Sequence, residues 1–310
     1  MGCSIINFSR DGFGHPNLSI LIPFYNHSPV SLLESLARQL PLRGGELEII
    51  LIDDGSACPE LTAKVIACLG TITCPATLLT LTKNEGRAAG RNRLITAARG
   101  DYVLFLDCDM LPDADDFVQK WLDLVTQERP DVVFGGFSLT QASRDPGYAL
   151  HRAMAAQGDT FEAALRRQAP EKYIFTSNLL IRADILSEET FDPEYLGWGW
   201  EDVEWGIRIS RRWTILHIDN PASHLGLDSA ETLAEKYEQS VANFARVVRA
   251  HWAIVATYPS YQVARLLKLA PLRRVWRPAL KALALAQHAP LEARALAMRL
   301  YRAALYAEVV

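Results

Sequence analysis

Tyr102-Val-Leu-Phe-Leu-Asp-Cys-Asp109 is an apolar run that ends abruptly in two carboxylates separated by one residue. An apolar run of this length, rich in β-formers, reads as a strand buried on both faces. In an open α/β sheet, ligands bind at the carboxyl ends of such strands. Extended backbone has a period of two, so the spacing predicts Asp107 and Asp109 on the same side of the chain, able to serve one hard cation, or a cation and a sugar hydroxyl. A strand followed by an acidic turn would give the same letters. The surrounding chain decides between the two.

Upstream, Leu18-Ser-Ile-Leu-Ile-Pro-Phe24 reads as a strand that ends in the turn Pro23-Phe-Tyr-Asn26, after which Ser28 as N-cap and Pro29 at the first helical position open a helix to about residue 40. Residues 47–52 form a second strand running into Asp53-Asp-Gly-Ser56, and a helix follows over about 59–68. Residues 77–81 are a third strand before Asn84-Glu-Gly86, and 87–98 are helical, which makes the Tyr102 strand the fourth. This alternation predicts βαβ units, a mainly parallel sheet and right-handed crossovers. Downstream, Pro112-Asp-Ala-Asp-Asp-Phe117 leads a helix to about residue 125, with acidic residues at its positive end. A strand at 131–136, a loosely patterned segment at 138–172 suited to acceptor-binding loops, and an extended run at 173–181 come next. Residues 201–211 read as a helix and 213–218 as a strand. The helical spacing of Leu233, Tyr237, Val241, Phe244 and Val248 then predicts an amphipathic helix over 231–250.

With 310 residues, 49% of them hydrophobic, the chain can bury the core of one large α/β domain, alone or with an extension. No apolar stretch is long enough to cross a membrane as a helix, and the amino terminus lacks a secretory pattern, so a cytosolic location is expected. Five cysteines without a CxxC pair indicate neither a disulfide framework nor a zinc site. Charge is unevenly divided: from Pro259 onward nine Lys/Arg face two Glu, a net +7, which leaves −11 for residues 1–258 of the formal total of −4. Two regions with different partners are implied.

Four features converge at strand ends or the helix starts just after them: Pro23-Phe-Tyr-Asn26, Asp53-Asp-Gly-Ser56, Asn84-Glu-Gly86 through Gly90-Arg-Asn92, and Asp107-Cys-Asp109. A parallel sheet brings all four to one edge. In this combination the chain resembles the GT-A fold glycosyltransferases, in particular the inverting family 2 enzymes, over residues 17 to about 226. The resemblance implies a catalytic domain at 1–226, with a nucleotide-sugar half at 17–136 and an acceptor half at 137–226, followed by a helical extension at 227–310 that is basic from 259.

By the same resemblance, Pro23, Tyr25 and Asn26 lie on or near the nucleoside, and a carboxylate of Asp53 or Asp54 accepts the uracil N3–H; which of the two does so stays open. Asn84 and Gly86 shape the phosphate-side loop, Gly86 through a backbone conformation other residues avoid, and Arg91 approaches the diphosphate or base. Asp109 binds a divalent cation, Mn²⁺ or Mg²⁺, while Asp107 reaches the ribose or a metal-bound water, and His224 in Ser-His-Leu-Gly226 completes the metal site. A cation bridging the leaving diphosphate offsets its growing charge, and carboxylates are the hard ligands such ions prefer. Gly197-Trp-Gly-Trp-Glu-Asp202 is similar to the Trp-Gly-Gly-Glu-Asp motif of family 2 relatives and β-1,4-galactosyltransferases, which implies Asp202 as catalytic base and Glu201 as a sugar or acceptor ligand. The chain departs at Trp200, where the family usually has Gly, so an indole is expected to reshape the donor-sugar pocket. Trp198 and Trp200 are candidates for stacking on sugar rings.

The implied activity is transfer of a hexose or N-acetylhexosamine from a UDP-sugar to a glycan or lipid-linked acceptor hydroxyl. A nucleotidyltransferase would show a Gly-rich basic loop after the first strand, which Pro23-Phe-Tyr-Asn26 is not, and a non-catalytic scaffold would not need Asp107, Asp109 and Asp202 intact. No nucleic-acid module is recognisable. The tail from Arg265 to Arg302 resembles short basic amphipathic helices broken at Pro271, Pro278 and Pro290, suited either to an anionic membrane at the cytoplasmic face or to packing on the catalytic domain.

Overall fold

The computed structural model describes residues 2–9, 14–40, 46–271 and 273–310. Its amino-terminal half alternates strand and helix: β1 (Cys3–Phe8), β2 (Leu18–Phe24), α1 (Val30–Gln39), β3 (Leu47–Asp53), α2 (Pro59–Thr71), β4 (Ala76–Leu81), α3 (Arg87–Ala97) and β5 (Tyr102–Leu106). After the acidic pair come β6 (Met110–Pro112), α4 (Phe117–Gln127), β7 (Val132–Phe134), β8 (Phe137–Ser138), the short helices α5 (Ala149–Ala155) and α6 (Ala163–Arg166), β9 (Asn178–Arg182) and α7 (Ala183–Glu188). The chain ends with α8 (Glu201–Ile209), β10 (Ile215–His217), β11 (Ala222–His224), α9 (Ala230–Val255), α10 (Pro259–Lys268), α11 (Arg273–Leu285) and α12 (Leu291–Tyr306).

The large sheet has the order β1-β4-β3-β2-β5-β9-β7-β10. Strand β9 is antiparallel to β5 and β7, β1 is antiparallel to β4, and the other pairings are parallel. This is the helix-flanked, mainly parallel α/β sheet that the sequence predicts. Strand β5 sits at its centre with all five residues buried. Tyr102, Leu104 and Leu106 pack with Phe117 and Trp121 of α4, while Val103 and Phe105 pack on the other face with Leu94 of α3 and Trp205 of α8. Each such fully buried large side chain contributes roughly 2 kcal/mol of transfer free energy.

A second sheet, β6-β11-β8, lies just beyond the acidic pair. The antiparallel register pairs His224 with Met110, so the imidazole stands beside Asp109 although the two are far apart in sequence. The small sheet is what joins the last strand of the chain to the end of β5.

Several local expectations are corrected. Pro29, not Ser28, is the N-cap of α1, and the Ser28 hydroxyl accepts from the Val30 N–H at 3.4 Å. The segment at Pro112 is strand, and α4 begins only at Phe117, because Met110–Pro112 pairs with β11 before the chain can turn helical. The extended run expected over 173–181 is a 3₁₀ turn at Pro170–Tyr173 followed by β9. Pro278 lies inside α11, while Pro290 caps α12. Strand β1 is not among the expected elements: it is a mostly exposed edge strand that pairs with β4.

The carboxy-terminal helices pack onto the α/β part of the chain. Tyr237 and Phe244 of α9, Met298, Tyr301 and Tyr306 of α12, and Leu150 and Ile207 belong to one buried cluster. Phe244 and Tyr306 stack with ring centroids 4.1 Å apart.

Candidate active site

A cavity of about 580 Å³ opens at the carboxyl ends of β2, β3 and β5. Its wall is formed by Pro23, Phe24, Tyr25 and His27 at and after the end of β2, by Asp54, by Asn84 and Gly86 before α3 and Arg87, Gly90 and Arg91 within it, and by Asp107 to Asp109. Gly197 and Trp198 close one side, and Thr232, Glu235, Lys236 and Gln239 of α9 close another.

The loop before α3 is held from below by Asp54. Asp54 accepts the N–H groups of Glu85 at 2.8 Å and Gly86 at 3.0 Å, and Asn84 Nδ2 donates to the Asp54 carbonyl at 3.1 Å. Burial pushes the Asp54 carboxyl up from its ordinary value, and these two N–H groups oppose that. Gly86 has φ 92°, a conformation that costs a side chain energy, and it caps α3. Of the Asp53/Asp54 pair, Asp54 lines the cavity. Asp53 is buried, with Oδ1 accepting the Ser56 N–H at 2.8 Å and Oδ2 lacking a partner among the described residues. Asn26 has φ 53°, is exposed, and spends its N–H on Ser56 Oγ at 2.7 Å; it is not part of the cavity wall.

The two carboxylates of the acidic pair face different protein partners, because the chain is not extended through both of them. The strand ends at Leu106, and a turn closed by the Met110 N–H on the Asp107 carbonyl at 3.0 Å breaks the extended period. Asp107 faces Arg91, at 3.0 Å, and Arg87, at 3.6 Å. Asp109 faces His224 Nε2 at 3.3 Å, and its backbone carbonyl accepts the Leu225 N–H at 2.9 Å. A Cβ on Gly226 would come within 1.9 Å of Asp109 Oδ2, so a side chain there would displace the carboxylate. Burial works against charge on both Asp109 and His224, but their mutual attraction prevails: the aspartate is held below its ordinary value and the imidazole above it.

Behind Asp107 lies a buried ion lattice. Arg91 is 1% exposed and bridges Asp107 to Glu201, whose Oε1 lies 3.4 Å away; Arg87, 41% exposed, reaches the same Glu201 oxygen at 2.7 Å. Glu201, 3% exposed, is held by two guanidinium groups. Burial would raise its carboxyl, but Arg87 and Arg91 bring it below the usual range. Asp202, next along α8, is pushed up to about 7 by burial and by the Glu201 charge, against the pull of the same arginines. Its Oδ1 accepts the Val203 N–H at 2.9 Å. Asp202 sits beside Arg87, which lines the cavity, and does not itself form the cavity wall.

The expectation for Trp200 is overturned. Gly197, Gly199 and Trp200 all have positive φ, 75° at Trp200, so the chain turns here through the conformation a glycine favours. The indole is not part of the cavity wall; its ring lies tilted against Phe244, centroids 4.9 Å apart, and its Nε1–H donates to the Tyr306 hydroxyl at 3.0 Å. It anchors the helical region. Trp198 does line the cavity, its ring edge-on to Tyr237 at 5.8 Å.

Sequence reasoning missed Arg87, His27 and the α9 wall. Arg87 had a readable signal, because it stands four residues before Arg91 on the same helical face. Among the described residues no three His, Cys, Asp or Glu groups cluster as a metal site. Asp109 and His224 nevertheless offer a hard oxygen and an imidazole side by side, a donor set that suits Mn²⁺ better than Mg²⁺ if the remaining ligands come from a bound diphosphate and water. Asp107 is spent on two arginines and fits that set less well.

The family described as Glycosyl transferase family 2 matches residues 19–189. The amylovoran biosynthesis glycosyltransferase AmsB of Erwinia amylovora is 28% identical over 185 residues, which covers 58% of this chain and 60% of that protein. The uncharacterised glycosyltransferase EpsJ of Bacillus subtilis is 30% identical over 185 residues, covering 56% and 52%. The chain spans about half the length of these curated relatives. Among solved structures, the mannosyltransferase PcManGT from Pyrobaculum calidifontis in complex with GDP-Man and Mn²⁺ superposes with a TM-score of 0.59 at 16% identity, covering 94% of this chain and 86% of that one. S. aureus TarS 1-349 in complex with UDP-GlcNAc gives 0.51 at 17% identity, covering 92% and 89%. These structural likenesses concern the fold.

Proposed function

Because this chain belongs to glycosyl transferase family 2, we propose that it transfers a hexose or N-acetylhexosamine from a UDP-sugar, with inversion, to a hydroxyl of a glycan or lipid-linked acceptor. The observation that carries this reading is the cavity itself, where Asp54, Arg87, Arg91, Asp107 and Asp109 meet Trp198 and the polar face of α9. In this reading Asp54 accepts the uracil N3–H, Pro23 and Tyr25 flank the base, and Asp107, held by its two arginines, reaches the ribose. Asp109 and His224 hold the divalent cation, which when bound offsets charge on the leaving diphosphate. Arg87, the more exposed of the two guanidinium groups, adds fixed positive charge on the same side.

Asp202 takes the proton from the acceptor hydroxyl. A carboxyl pushed up to about 7 is matched to that task, since a base works best with a proton affinity near the operating pH. Glu201 does not touch the sugar; it keeps the arginines in place beside the base. The acceptor hydroxyl has to reach Asp202 past Arg87, so the acceptor enters from the side of Trp198 and α9.

A screen of UDP- and GDP-sugars, measuring nucleoside diphosphate release with Mn²⁺, tests the proposal. Turnover of a UDP-sugar supports it. Turnover of GDP-mannose alone would refute the uracil assignment while keeping glycosyl transfer, and no release from any donor, with any glycan added, would refute the activity.

A further inference from the structure

We propose that α10 and the start of α11 form a surface that seats on an anionic lipid bilayer. Helix α10 buries Tyr261 and Ala264 against the helical core, and on its outer side it presents Leu266, 69% exposed, with Val263 beside it and Leu269, 81% exposed, at its end. Val275, 68% exposed, follows in the first turn of α11. Trp252 at the end of α9 is 59% exposed and tied to α10 by its indole N–H, which donates to the Tyr261 hydroxyl at 3.1 Å. An exposed indole and exposed leucines on two packed helices are the composition of a membrane–water interface.

The charge pattern selects the occupant. From Trp252 to Leu291 the chain contains no Asp or Glu but six Lys/Arg: Arg265, Lys268, Arg273, Arg274, Arg277 and Lys281. Arg265 is exposed on α10 and makes no ion pair among the described residues; Lys268 donates to the Val310 carbonyl and Arg277 pairs with Glu308. A second copy docking face to face would set positive against positive, which disfavours self-association. An anionic lipid surface meets both properties, because such binding adds apolar burial to electrostatic attraction. No described helix is long and apolar enough to cross a membrane, so the contact lies in the interface. The inference is independent of the proposed reaction.

Co-sedimentation of the full chain with vesicles tests it. Binding is expected to equimolar phosphatidylglycerol and phosphatidylcholine, weaker to phosphatidylcholine alone, and weaker at high salt. Arg265→Glu should lower partitioning roughly fivefold or more. Leu266→Asp with Leu269→Asp should abolish it, with the circular dichroism spectrum unchanged because both side chains are exposed. Wild-type protein that stays in the supernatant with anionic vesicles overturns the proposal, as does a double variant that partitions like wild type. A wild-type dimer that the double variant disrupts, without vesicle binding, assigns the face to a second copy instead.

Discussion

Asp202→Asn should cost catalysis and stabilise the fold at the same time, and the two effects share one cause. The carboxyl is pushed from the ordinary 3.8 to about 7, chiefly by burial and the neighbouring Glu201 charge. The folded protein therefore holds this proton more tightly than the unfolded chain, so the associated stability is fully present below the unfolded value and is lost as pH rises through about 7. Converted at 1.36 kcal/mol per pKa unit, the ceiling is roughly 4 kcal/mol at pH 8. An asparagine keeps an oxygen for the Val203 N–H and carries no charge to bury. Urea unfolding should then show the variant and the wild type alike near pH 4 and the variant more stable by about 2–4 kcal/mol near pH 8. Donor turnover into acceptor should fall roughly 10²–10⁴-fold, and the wild-type rise of kcat/KM towards pH 7 should disappear. A stability gap that does not change between these pH values, or a variant weaker at pH 8, would refute the electrostatic reasoning.

Arg91→Met should lower stability by about 3–5 kcal/mol, because it strips a buried guanidinium from Asp107 and Glu201, whereas Arg87→Met, with Arg91 still bridging the same pair, should cost less than half of that; urea unfolding measures both. Gly226→Ala should weaken UDP binding in Mn²⁺ about tenfold by displacing Asp109, and calorimetric titration showing unchanged affinity would count against Asp109 as a cation ligand. Trp200→Ala should cost about 3–5 kcal/mol of stability with UDP affinity retained, since the indole packs on Phe244 and Tyr306. Trp198→Ala should change stability by no more than about 1 kcal/mol and act instead on transfer, seen as a raised KM for the acceptor.

The sheet was legible because each buried strand carries its own signal. Leu18–Phe24, Leu47–Asp53 and Tyr102–Leu106 are short apolar runs bounded by turn residues, and a parallel arrangement then delivers their carboxyl ends to one edge without further information. What a run of letters does not carry is where extended geometry stops. The turn at Asp107-Cys-Asp109 sends two carboxylates with the same spacing to Arg91 and to His224, and only the register of β11 against β6 determines the second partner. Trp200 shows the same limit in reverse: the position demands positive φ, yet the side chain's destination depends on a helix a hundred residues later.

Helix α9 carries the deepest of these effects. Its apolar stripe, with Leu233, Tyr237, Phe244 and Val248 buried, is visible in the sequence and marks the face that packs. Thr232, Glu235, Lys236 and Gln239 fall at i, i+3, i+4 and i+7 on a polar face, which by composition alone is what a solvated surface looks like. In the fold that face closes the cavity opposite the strand ends. Lys236 is held by Asp228 at 2.6 Å, and the Asp228 N–H donates to His151 Nδ1 at 2.7 Å, so the wall is fixed by α5 and the loop after β11. Under the proposed reaction the nucleotide side is built from strand ends whose geometry the sheet dictates. The acceptor side is built from a polar helix face on which substitution costs the fold little. Acceptor choice can therefore diverge among chains that share the donor half, and it is in these four α9 positions that the difference would be written.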